Sequence, residues 1–209
     1  MELSFFATRD TKGRQKMKYE MIAICGKAGS GKDTIMHRVV EAMPQLHEIV
    51  SCTTRPMREG EADGVNYYYL TGEQFAEKVM AGEMLEATCF NDWFYGTSYD
   101  SLRSDCVNIA VFNPEGIDSV MAHKNNIELV VFYIEADDKI RLIRQLNREE
   151  HPDVHEIIRR FGADEIDFED LDFHYNALTN NTPDDLEYCV KVVAAAVRTL
   201  EGRIGQDNT

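Results

Sequence analysis

The sequence predicts an α/β fold in which a central parallel sheet is flanked by helices, and three observations predict it. An apolar run at residues 21–25 meets a glycine-rich loop at 26–31, which opens a helical pattern carried by Ile35, Met36, Val39, Val40 and Met43 until Pro44 stops it. Apolar, β-rich runs recur at residues 107–112 and 128–134, and each precedes a segment of helical period. Strands alternating with helices pack as parallel strands covered on both faces.

Composition limits what such a fold can do. The 209 residues carry a net charge of −15 with 44% hydrophobic residues, enough for one buried core. The acidic balance argues against binding nucleic acid, which needs many Lys and Arg contacts to phosphates. No window approaches the ~18 apolar residues of a membrane span. No apolar leader with a small-residue cleavage site opens the chain, so no secretion signal is expected. Five scattered cysteines form no C-x-x-C pair, which predicts reduced thiols and a cytoplasmic protein. Residues 1–20 are expected to be an N-terminal extension ahead of the first strand.

The first strand and helix enclose Gly26-Lys27-Ala28-Gly29-Ser30-Gly31-Lys32-Asp33-Thr34. Strand, glycine loop and helix form the context of a phosphate-binding loop. Gly26, Gly29 and Gly31 let the backbone curl around Ser30 so that several N–H groups meet one anion. The helix N-terminus adds its positive dipole end. Lys32 supplies a point charge for the β- and γ-phosphates of a nucleoside triphosphate. The motif normally continues with Ser or Thr, whose hydroxyl touches Mg²⁺; here Asp33 stands there, with Thr34 beside it. Both are candidate metal ligands and members of the ATP site.

After a short strand at 46–50 comes a polar, turn-rich segment, residues 51–69, with Arg55 and Arg58 three apart among hydroxyls and tyrosines. Guanidinium forks suit phosphate oxygens, so the pair is a candidate clamp. The segment matches S-x-T-T-R-x-x-R-x-G-E-x-x-G-x-x-Y from Ser51 to Tyr67. It is followed by Gly82-Glu83-Met84-Leu85-Glu86 and by Tyr95-Gly96-Thr97. On these residues, with the glycine loop at the right distance, the chain resembles guanylate kinases, which are P-loop nucleoside monophosphate kinases.

The resemblance implies a P-loop kinase fold with a mixed α/β monophosphate-binding subdomain at residues 51–100 and a helical lid at 148–168, within a domain spanning 21–202. It also implies that Arg55, Arg58, Tyr67 and Tyr95 hold the phosphate of the acceptor GMP, and that Ser51, Glu86 and Thr97 face its guanine. A carboxylate at Glu86 can accept from both N1–H and the 2-amino group. Adenine would leave that carboxylate unpaired.

The strand at 107–112 ends in Asn113-Pro114-Glu115-Gly116. The family usually carries D-x-D-x-x-G here, whereas this chain has Val111 and Asn113 in place of the two aspartates. Asn113 can still hydrogen-bond the acceptor; Val111 cannot. Asp33 is then a candidate to restore a carboxylate near Mg²⁺. A helix is expected at 116–124, a strand at 128–134, and a helix after Asp137 with Ile140, Ile143 and Leu146 facing inward. Arg141, Arg144 and Arg148 form a row on one helical face, ordinarily a solvated one. By resemblance, Arg144, Arg148 and a lid arginine approach the transferring phosphoryl group. Arg160 fits that last place with one inserted residue and Arg159 without it. His151 and His155 are expected to be exposed.

A last strand is expected at 173–178. Asn180 falls in the loop that lies near the donor adenine in the family. Thr182, Pro183 and Asp185 predict a capped helix to about Leu200, with a disordered tail at 203–209. The function these readings imply is transfer of the ATP γ-phosphoryl group to GMP or dGMP with Mg²⁺, by a monomer or homodimer without nucleic-acid or membrane partners. Two alternatives are a kinase for another deoxynucleoside monophosphate and a catalytically weak guanylate-kinase-like binding module.

Overall fold

The computed structural model describes residues 18–57, 60–90, 93–122, 126–148 and 151–207. The core sheet has five strands in the order β2-β7-β1-β8-β9, all parallel. They are β1 (Tyr19–Cys25), β2 (His47–Glu48), β7 (Asn108–Val111), β8 (Ile127–Glu135) and β9 (Asn176–Thr179). The central strand β1 is buried on both faces, so it shows a continuous apolar run and not an alternation. Its side chains still divide by the period of two. Ile22 and Ile24 enter one core cluster with residues of α1 (Lys32–Ala42) and α6 (Pro183–Asp207). Met21, Ala23 and Cys25 enter the other, with Ile117 and Val120 of α3 (Pro114–Met121).

A second, mixed sheet has the order β4-β3-β6-β5. It comprises β3 (Cys52–Thr53), β4 (Tyr68–Tyr69), β5 (Met84–Phe90) and β6 (Trp93–Ser98), with α2 (Gly72–Met80) beside it. Thr71 caps α2 in a full capping box with Gln74, which fixes where the polar segment ends and the helix begins. Phe75, the buried residue of α2, stacks on Phe94 of β6 with ring centroids 5.5 Å apart. Thr88 on β5 donates to Glu115 on α3 at 3.2 Å, joining the second sheet to the core.

Three expectations need correction. The first strand begins at Tyr19, inside the span assigned to an extension. The last helix does not stop near Gly202 but runs through it to Asp207; one glycine costs only about 1 kcal/mol in a helix, and the buried Val193, Val197 and Leu200 hold the element to the core. Its start is as expected, with reciprocal Thr182–Asp185 bonds of 2.9 and 3.2 Å. The third concerns α4 (Asp138–Leu146), where Ile143 and Leu146 are exposed and Arg141 is the residue turned inward. Among the described residues, no helix is long and apolar enough to cross a membrane.

Because Ile24 is fully buried beneath α1 and α6, Ile24→Ala should cost about 2–5 kcal/mol of unfolding free energy. Urea denaturation followed by circular dichroism measures it. A loss near zero would mean that this cluster is not the packed core.

Candidate active site

Ile24 near the end of β1 pairs with Val111 at the end of β7 on one side and with Phe132 of β8 on the other, and β8 runs on to Glu135. The glycine loop leaves the carboxyl end of β1, where ligands bind in open sheets of this kind. Gly29 and Gly31 hold left-handed backbone angles, φ 79° and 91°. A Cβ at Gly29 would come within 2.6 Å of the Arg141 carbonyl oxygen, and one at Gly31 would strike the Asn180 amide. Helix α1 begins at Lys32 with no side-chain cap, so its first-turn N–H groups remain available to an anion.

Such a loop can turn its N–H groups toward an anion only if its carbonyls are satisfied elsewhere. Three side chains accomplish this. Arg141 Nε donates to the Ala28 carbonyl at 3.0 Å, Arg144 Nη1 to that of Ser30 at 3.1 Å, and Asn180 Nδ2 also to that of Ser30 at 2.7 Å. The Ser30 hydroxyl and Asn180 Oδ1 are buried without a hydrogen-bond partner among the described residues. Asn180 is thus held under the loop, with its amide orientation set by the Ser30 bond.

A cavity of about 670 Å³ opens over this loop. Gly29, Gly31, Lys32, Asp33, Thr34 and Asn180 line it from the loop side, and Arg144 of α4, Arg148 just beyond it and Arg160 of α5 (Val154–Asp167) from the other. Nearly every candidate for the ATP site and the lid therefore meets at one opening. Lys32 Nζ lies 3.3 Å from Asp33, whose carboxylate is largely exposed.

A second cavity, of about 720 Å³, lies between the mixed sheet and α5. Tyr95, Thr88, Asn113 and Arg159 are among its walls. The two neighbouring lid arginines thus part company. Arg160 faces the glycine loop and Arg159 the second cavity, while Glu156 accepts from Arg159 Nε at 2.7 Å and Arg160 Nε at 2.8 Å. Those bonds, Arg159's first, pull the Glu156 carboxyl down to about 2. His151 and His155 are exposed.

Register in the mixed sheet pairs Glu86 with Thr97. Thr97 donates to the Glu86 carboxylate at 2.8 Å, and the Ser51 and Thr97 hydroxyl oxygens lie 3.4 Å apart. Only 9% of Glu86 is exposed, and among the described residues no cation pairs with it. Burial pushes its carboxyl above the usual range, against the pull of the Thr97 bonds. Glu86 and Thr88 are two apart on β5 and share a face, and Thr88 borders the second cavity. Gly96 admits no side chain here, since a Cβ would meet the Glu86 carbonyl oxygen at 2.6 Å.

Arg55 departs from the expected open clamp. Its Nη2 bonds Glu61 at 2.8 and 3.0 Å, its Nη1 bonds the Pro56 carbonyl at 2.8 Å, and its guanidinium lies over the rings of Tyr67 and Tyr69. Tyr67 in turn meets Tyr95 edge-on. Glu61 was overlooked in the sequence, although it is six residues downstream in the same motif. Arg58 lies outside the described residues. Asn113 is also committed: its Oδ1 caps α3 by accepting from Gly116 N–H at 2.8 Å, leaving its amino group for a ligand. Val111 is partly buried against the core.

Sequence reasoning assigned Arg141 to a solvated row, and the structure corrects this. Only 1% of it is exposed; it pairs with Asp138 and Asp164 and lies 4.4 Å from the Phe161 ring centroid. The available signal was the Asp138–Arg141 spacing of three. Nothing local marked Asp164.

The family model for guanylate kinase matches residues 18–200. A guanylate kinase from Salinibacter ruber is 41% identical over 99 residues, which take in 47% of this chain and 50% of that protein. One from Thermotoga maritima is 31% identical over 186 residues, 85% of this chain and 87% of that protein. The crystal structure of guanylate kinase from Anaplasma phagocytophilum superposes with a TM-score of 0.63 at 17% identity, covering 89% of this chain and 88% of that one, a likeness of fold. The names of these relatives favour neither another base nor a binding module. By the span of the model match and the length of the Thermotoga alignment, the chain belongs to the guanylate kinase family.

Proposed function

We propose that the protein transfers the γ-phosphoryl group of ATP to GMP or dGMP, giving ADP and GDP or dGDP. One observation carries this reading: a buried carboxylate, Glu86, is held by Thr97 on the strand whose Thr88 borders the second cavity. A buried acid without a cation is costly unless a ligand satisfies it. Guanine supplies the two donors that would do so.

In this reading the donor triphosphate rests on the loop N–H groups and Lys32, with Gly26, Gly29, Ser30 and Gly31 shaping the cradle and Asn180 below it. Residues 51–100 seat the acceptor. Arg55, Arg58, Tyr67 and Tyr95 aim its phosphate, Ser51, Thr97 and Glu86 read its base, and Asn113 offers its amino group. An acceptor phosphate oxygen attacks the γ-phosphorus in line as the bond to the β-phosphate oxygen breaks, and ADP leaves with that electron pair. No covalent intermediate is needed. Residues 148–168 act as the lid and exclude water, and its Arg148 and Arg160, with Arg144 of α4, neutralise charge on the moving group.

Asp33 and Thr34 offer oxygen donors at the mouth of the donor cavity, which fits Mg²⁺, a hard cation usually held by one or two carboxylates and by phosphates. When bound, the ion would draw charge from the phosphate oxygens. Among the described residues no group of three or more His, Cys, Asp or Glu could hold a metal ion, so substrate phosphates would complete its shell. A cytoplasmic location fits the unpaired thiols.

A coupled assay over several monophosphates tests the proposal: turnover is expected with GMP and dGMP, and turnover only with another base, or none, would overturn it. Lys32→Met should lower kcat by about 10²-fold or more, with GMP binding little changed. Glu86→Gln should raise KM for GMP by about tenfold or more. Because burial raises the Glu86 carboxyl and protonation removes an acceptor from guanine, KM for GMP should climb as pH falls from 8 toward 5. The climb should be smaller in Glu86→Gln, where the GMP phosphate, with its second pKa of about 6, still titrates, and identical profiles would remove Glu86 from the site. Asp33→Ser should shift the Mg²⁺ dependence of the rate, and an unchanged titration would exclude Asp33 as a ligand.

A further inference from the structure

Arg141 and Asp164 converge on the backbone of one loop residue. Arg141, on α4, donates from Nε to the Ala28 carbonyl at 3.0 Å; Asp164, on α5, accepts from the Ala28 N–H at 2.9 Å. The two side chains also bond each other, and Arg141 Nη1 bonds Asp138 at 2.6 Å. Outside this pair, Lys27 of the loop bonds Glu165 of α5 at 2.7 Å. Both polar groups of Ala28, and the side chain before it, are thereby held by the elements that carry the lid arginines.

Net stability does not account for such a pair. Exchanging a buried ion pair for apolar side chains of similar volume is often neutral or stabilising. What the pair supplies is fixed geometry, since a planar guanidinium holds a carbonyl and two carboxylates in set directions. Arg144 lies three residues beyond Arg141, and Arg160 one helical turn before Asp164; both line the donor cavity. That cavity is open while the contacts are made, so the latch does not shut out nucleotide.

We propose that Arg141 and Asp164 are positioning residues that fasten the lid helix to the phosphate loop through Ala28, so that Arg144 and Arg160 stand over the donor cavity before nucleotide arrives. The role in catalysis rests on the kinase reading above; the latch itself does not.

Hydrogen exchange on the full chain, without and with ADP, tests it. In the unsubstituted protein, amides of residues 160–167 should be protected without nucleotide and change less than about twofold on adding ADP. In Arg141→Leu/Asp164→Ala, with protection of β1 and β8 retained, exchange at 160–167 should rise by about tenfold without nucleotide and fall again with ADP. KM for ATP should rise about tenfold while KM for GMP moves less than about twofold. Asp164→Asn keeps an acceptor for the Ala28 N–H, so it should fall between the two; it also serves alone if the double variant does not fold. Equal exchange at 160–167 without nucleotide in variant and parent would overturn the latch. So would faster exchange of this segment in the parent on adding ADP, because Asp164 would then be competing with phosphate for the loop amide. An exchange difference in a protein that phosphorylates no monophosphate would sink the kinase reading and leave the latch standing.

Discussion

A loop that binds phosphate through its backbone must find partners for its carbonyls away from the ligand, and the molecule is arranged around that requirement. The carbonyls of Ala28 and Ser30 are taken by Arg141, Arg144 and Asn180. These side chains come from α4 and from the turn between β9 and α6, elements more than a hundred residues further along the chain. The parallel sheet makes the meeting possible by bringing the carboxyl ends of β1, β8 and β9 to the same edge. A cradle that looks local in sequence is therefore a tertiary object, and strand order matters to it as much as glycine content.

What was legible in the sequence follows from this. Strand, glycine loop and first helix could be read because their physical reasons lie within one stretch: a doubly buried strand, glycines at left-handed positions and a helix start at Lys32. The motif singled out Glu86 and Thr97 separately, and hairpin register is what brings them into contact. Arg141 was misread because helical periodicity says which residues share a face, not which face is inward. Ile143 and Leu146 suggested one answer, and a carboxylate 23 residues beyond Arg141 imposed the other. Arg55 sits against Tyr67, but its engagement with Glu61 and Pro56 was not foreseen, since turn conformation decides which oxygens come within reach.

The strand end beyond β7 shows how substitution redistributes work. Asn113 does the local task of a short polar residue before a helix, capping α3, and a helix that begins with Pro114 gains much from a fixed start. Its neighbour Val111 joins the apolar core. Neither adds negative charge at the sheet edge, where the exposed Asp33 is the carboxylate beside the loop lysine. Under the proposed function, Asp33 in the first turn of α1 would supply the carboxylate that the sheet edge does not.

Glu156 ties these threads together in one side chain. It grips two consecutive arginines that look into different chambers, one over the glycine loop and one beside the mixed sheet. A single carboxylate is consequently the common anchor of both guanidinium groups, so removing its charge would free an arginine over the glycine loop and another beside the mixed sheet at once.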